Sequence, residues 1–130
     1  MDFLNRNKDI NEVKMLSPLV LAYIGDSVYE LFIRTNLVNI SNAKPNKLHI
    51  ETIKYVKAEA QAKILNNIKL NLTEDELEII KRGRNAENHH LPKSANTADY
   101  SQSTGLEALI GFLYLTKQDE RLRRNSKHVY

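Results

Sequence analysis

An all-α fold built as one domain over residues 1–130 follows from three features of the sequence. Apolar residues recur at helical spacing through successive segments, whereas no alternating apolar and polar run precedes a tight hairpin turn. Two of those segments are headed by helix-opening signals, Ser17-Pro18 and Thr73-Glu74-Asp75-Glu76. A chain of 130 residues can bury one core but not two, and no repeat, low-complexity tract or linker divides it.

Ser17 as N-cap and Pro18 at the first helical position open a long helix to about Leu37, which NISNA ends. Pro45 opens PNKLHIETIKYV, with Leu48, Ile53 and Val56 expected to face inward, and KAEAQAKILNNI follows with strong helix formers. Thr73 and Glu76 form a capping box at the head of ELEIIKRGR. The polar, proline-containing stretch NAENHHLPKSANTADYSQS reads as the longest loop. Thr104 is then expected to open the apolar helix GLEALIGFLYL, and KQDERLRRNSKH to form a charged terminal helix.

Composition excludes several classes of protein. An apolar content of 42% beside 27% charged residues is globular rather than disordered. Zero cysteines exclude a disulfide framework and any cysteine zinc site, and accord with a reducing compartment. The opening MDFLNRNKDINEVKML is charged throughout, so neither a signal peptide nor a membrane span is expected and the cytoplasm is the expected location. His49, His89, His90 and His128 lack zinc-ligand spacing, and no glycine-rich phosphate loop is present, so no nucleotide cofactor is expected. The net charge of +3 leans toward a polyanionic partner.

Two helices, LAYIGDSVYELFIR and LEALIGFLYL, each set a glycine and an acid within apolar surroundings. A glycine inside a helix costs about 1 kcal/mol relative to alanine, and a tight crossing of the two helices at Gly25 and Gly111 would account for both. Glu107 lies four residues before Gly111, on the same face, so such a crossing brings Asp26 and Glu107 together. Converging carboxylates repel, and a divalent cation relieves the repulsion; Asp26 and Glu107 are thus candidate ligands for a hard metal. Simpler readings stand beside this one. Asp26 could pair with a base or face solvent, Thr104-Gly-Leu-Glu107 has the form of a capping box, and Glu30 with Arg34 forms a helix ion pair.

A basic cluster, KRGRNAENHHLPK, offers Lys81, Arg82, Arg84 and Lys93 as phosphate contacts, although Lys81 and Arg82 would also complement the helix dipole. Arg121, Arg123 and Arg124 in RLRRNSKH could form a second basic strip. Phe32, Ile33, Phe112 and Tyr114 are more apolar surface than one core is expected to take, which predicts a homodimer.

LAYIGDSVYELFIR, KRGRNA and STGLEALIGFLYL, in this order and spacing, resemble the ribonuclease III family, in its compact Mini-ribonuclease III branch without a separate double-stranded-RNA-binding domain. The similarity runs from about Leu16 to Leu122. It implies a single all-α endonuclease domain, a homodimer, and magnesium-dependent cleavage of double-stranded RNA to 5′-phosphate and 3′-hydroxyl ends. For this branch the implied substrate is precursor of the large-subunit (23S) ribosomal RNA, cut near the base of its terminal stem. Asp26 matches the family's Gly-Asp aspartate and Glu107 the glutamate of Glu-Ala-Leu-Ile-Gly, which makes both the implied catalytic and metal-binding residues. Longer ribonuclease III enzymes carry a glutamate where this chain has Ala22 and an aspartate where it has Thr104. Loss of those two acids leaves open an RNA-binding or ribosome-associated protein that does not cut, and composition alone would also suit a helical protein-interaction module.

Overall fold

The computed structural model describes residues 4–86 and 97–126, and every described element is helical. The helices are α1 (Ile10–Lys14), α2 (Pro18–Ile40), α3 (Pro45–Val56), α4 (Ala58–Ile68), α5 (Glu74–Asn85), α6 (Thr97–Leu115) and α7 (Asp119–Ser126), with one 3₁₀ turn at Lys69–Asn71. The start signals act as read. Ser17 Oγ accepts from the Leu19 N–H at 3.2 Å ahead of Pro18. At α5 the Glu76 N–H donates to Thr73 Oγ1 (3.2 Å), and the Thr73 N–H donates to Glu76 Oε1 (2.9 Å). The short α1 is additional to the expected helices, and Asp9 caps it by accepting from the Glu12 N–H at 2.9 Å.

Three expectations need correction. α6 already includes Thr97, so Thr104 lies inside the helix and is no cap; its hydroxyl donates back to the Tyr100 carbonyl at 3.0 Å. A hydroxyl satisfied one turn back is compatible with a helix interior, which is why the Thr104–Glu107 spacing misleads. In α3, Ile53 is 49% exposed while Thr52 is buried, so the inward face is turned by one residue from the expected one, although Leu48 and Val56 do pack on the core. Ile33 and Phe112 are both buried and Phe32 packs at the core's edge, so one core takes these three, while Tyr114 stands outside it, half-buried.

α6 is the central helix, packed against α2, α4 and α5. Leu106, Leu109, Phe112 and Leu113 meet Leu21 and Ile33 of α2 and Leu65 and Ile68 of α4 in a continuous buried cluster. Each such side chain contributes about 1.5–3 kcal/mol by leaving water. The α2–α6 crossing admits no side chain at its closest points. A Cβ on Gly25 would stand 1.8 Å from the Glu107 carbonyl oxygen, and one on Gly111 would stand 2.0 Å from that of Leu21.

Two polar clasps hold the periphery. Glu76, almost fully buried, meets the Arg121 guanidinium, whose Nε donates to Oε2 at 3.0 Å and whose Nη2 donates to the Asn71 carbonyl at 3.0 Å. Breaking such a pair from one side strands a buried charge and costs about 3–5 kcal/mol. Arg121 is therefore an internal brace rather than part of an outward basic strip. Arg6 ties the N-terminal segment to α7 through Asp119 at 2.7 Å and lies 4.9 Å from the centre of the Tyr114 ring.

Candidate active site

The glycine crossing sets the positions of the two acids. Asp26 follows Gly25 on α2, and the backbone carbonyl of Glu107 on α6 lies against Gly25. Their side-chain carboxyl groups come into hydrogen-bonding contact with each other. Asp26 is exposed, which removes the cost of burying its charge, whereas Glu107 is half-buried.

The pair is electrostatically unequal. Burial pushes the Glu107 carboxyl up to about 8, and the hydrogen bond to Asp26 and the nearby Asp26 charge push in the same direction. Against them acts the side-chain amide of Gln61, which faces Glu107 and favours its ionised form. At neutral pH Glu107 thus holds its proton, at a place where a divalent cation could take the proton's part. Among the described residues no group of three or more histidine, cysteine, aspartate or glutamate side chains converges. The arrangement is two carboxylates and one amide, with Ala22 and Thr104 buried at the other two positions.

Gln61 was missed in the sequence. It occupies the inward stripe Gln61, Ile64, Leu65, Ile68 of α4, and a polar side chain at an apolar-stripe position was the available signal. The Glu30–Arg34 ion pair forms as expected, at 3.3 Å.

The basic cluster divides. Lys81 is exposed at the end of α5. Arg82 instead turns inward: its Nη1 donates to the Lys14 carbonyl at 2.8 Å and its Nη2 to the Leu16 carbonyl at 3.0 Å, which clasps the link between α1 and α2. That corrects its expected role at a phosphate. Arg84 is half-buried, with its stem against Gly105 and its Nε buried without a partner. Lys93, like His89 and His90, lies outside the described residues.

Residues 19–118 match the sequence profile described as the Ribonuclease III domain. The chain belongs to the ribonuclease III family. Among its relatives, the Mini-ribonuclease 3 of Clostridium tetani is 44% identical over 98% of this chain and 85% of the relative. That of Symbiobacterium thermophilum is 50% identical over 82% of each chain. A crystal structure of a Fusobacterium nucleatum protein superposes with a TM-score of 0.82 at 30% identity, covering 91% of this chain and 94% of that one. The likeness places the chain in the Mini-ribonuclease III branch, and it is an endoribonuclease. No described helix is long and apolar enough to cross a membrane.

The raised Glu107 carboxyl has a consequence for the metal-free ribonuclease. An unfolded glutamate titrates near 4.5 and the folded one at about 8, so the folded chain holds the proton more tightly. Its stabilising effect is complete below the unfolded value and is lost as pH rises through the folded one. In chelator, the melting temperature of the wild type relative to Glu107→Gln should fall by roughly a few degrees between about pH 5 and pH 8.5. Thermal melts across that range check this, and a constant difference would show that Glu107 titrates normally.

Proposed function

We propose that this endoribonuclease cleaves double-stranded RNA with the help of magnesium, and that Asp26 and Glu107 hold the ion. The observation that carries the reading is the meeting of these two carboxyl groups across the Gly25–Gly111 contact. The donor set suits magnesium, a hard cation that prefers one or two carboxylates and keeps several waters. A buried carbonyl oxygen without a partner, Gln61 Oε1, adds to that fit. When bound, the ion lowers the pKa of a water and offsets negative charge on the phosphate. Asp26, exposed, stands where a backbone phosphate can approach, and Glu107 closes the site from the core side. Water adds to phosphorus, the bond from phosphorus to the 3′ oxygen breaks, and that oxygen leaves with a proton, which gives 5′-phosphate and 3′-hydroxyl ends.

Lys81 and Arg84, with Lys93, would contact phosphates and read A-form shape rather than sequence. The substrate in the cell is proposed to be precursor of 23S ribosomal RNA, cut near its terminal stem. The enzyme is proposed to act as a homodimer in the cytoplasm, with one site for each strand. Support for the dimer lies in the outer face of α2, where Val20, Tyr23, Leu31 and Val38 are 49–80% exposed. An apolar cavity of about 430 Å³ beside it, lined by Val28, Leu31, Phe32 and Ile110, adds to that support.

Three measurements test this. Loss of an outer partner of a metal site costs roughly 10–100-fold, so loss of a direct carboxylate should cost more than about a hundredfold. Asp26→Asn and Glu107→Gln should each cut duplex RNA at least that much more slowly while still binding it; near-normal turnover in either would remove that residue from the site. The pair of changes Lys81→Gln and Arg84→Gln should lower the slope of log affinity against log salt by somewhat under one unit per lost contact. An unchanged slope would place the RNA elsewhere. In sedimentation the wild type should run as a dimer at micromolar concentration and Leu31→Lys as a monomer. A fully active wild-type monomer would refute the dimer.

A further inference from the structure

Gln61 is one of the few polar side chains in the core, 2% exposed. Its amide orientation is set by chemistry. The break between α3 and α4 at Lys57 leaves the Val56 carbonyl without a helical partner, and Gln61 Nε2 donates to it at 2.9 Å. A carbonyl can only accept, so the amino group must face Val56, and the opposite face of the amide must carry Oε1. Oε1 is buried and has no hydrogen-bond partner. An unmet buried acceptor costs about 1–3 kcal/mol, and the same amide faces Glu107. The helix-capping task explains the amino group and leaves the oxygen unexplained.

Resting on the assignment of Asp26 and Glu107 as metal ligands, we infer that Gln61 is a positioning residue of the metal site. Its second N–H is directed at Glu107 and aims that carboxylate toward Asp26, and Oε1 accepts a hydrogen bond from a water carried in by the ion. The task left to two carboxylates, where Ala22 and Thr104 bring no charge, is thereby shared with a neutral amide on a third helix. α4 joins α2 and α6 in forming the site.

The test is calorimetric titration of magnesium into the chelator-stripped full-length chain, with melting temperatures and cleavage measured in parallel. Gln61→Leu keeps the volume and removes both contacts; it should weaken magnesium about 10–100-fold, and cleavage should recover when magnesium is raised to saturation. Gln61→Glu keeps an oxygen and adds a charge but loses the Val56 clasp, so it should melt lower than the wild type yet bind magnesium more tightly. Where Gln61→Leu fails to fold, Gln61→Glu decides by itself. A lower melting temperature with unchanged magnesium affinity, in Gln61→Leu or in Gln61→Glu, would reduce Gln61 to a cap on α3 and overturn the inference. Asp26→Asn and Glu107→Gln belong in the same titration. If both bind magnesium like the wild type, the metal site itself is refuted and the role of Gln61 with it. If only they lose binding, the metal site stands and the inference about Gln61 fails alone.

Discussion

The backbones of α2 and α6 touch at Gly25 and Gly111, and the rest of the molecule is arranged around that contact. A Cβ at Gly25 would lie 1.8 Å from the Glu107 carbonyl oxygen and 2.9 Å from the Gly111 nitrogen, distances no side chain can occupy. Each glycine weakens its own helix by about 1 kcal/mol, a cost offset by the buried contacts that close approach allows along both helices. One of the two acids is the next residue after Gly25, and the other lies one turn before Gly111. Packing and the candidate chemistry therefore depend on one geometric condition.

The acids that meet there are not equivalent. Asp26 stands in water while Glu107 is drawn into the protein, and the raised Glu107 carboxyl records first its burial and then the cost of a second negative charge beside Asp26. A cation, a shared proton and hydrogen-bond donors are the ways to relieve it. Gln61 supplies the last of these from a third helix. A neutral amide in that place orders the carboxylate without adding to the repulsion, which suits a site with two acids rather than four.

Positive charge on this chain is divided between architecture and surface. Arg6 secures the N-terminal segment to α7, Arg82 clasps the link between α1 and α2, and Arg121 neutralises the buried Glu76. Arginine suits such tasks because its planar fork can satisfy several acceptors at once. A count of basic residues thus overstates the surface available to a polyanion. In the KRGR segment, Arg82 is taken up by such internal work while Lys81 stands exposed.

The sequence by itself determined the helical fold, the heads of α2 and α5, and the two acid-bearing segments, because caps, periodicity and glycines in helices act over a few residues. The Asp26–Glu107 pairing was legible for the same reason, since the spacing of each acid from a glycine is local even though their meeting is not. Thr104 shows the limit: threonine three residues before glutamate has the same pattern inside a helix as at its start, and only the preceding turn tells them apart. Partners remote in sequence were decided by the tertiary structure alone. Arg82 reaches carbonyls 66 and 68 residues away, and Arg121 reaches a glutamate 45 residues away. Gln61 joins the acids only because α4 lies against α6. Nothing local in the chain encodes which charge a long side chain will find, because that choice belongs to the packing of helices around α6.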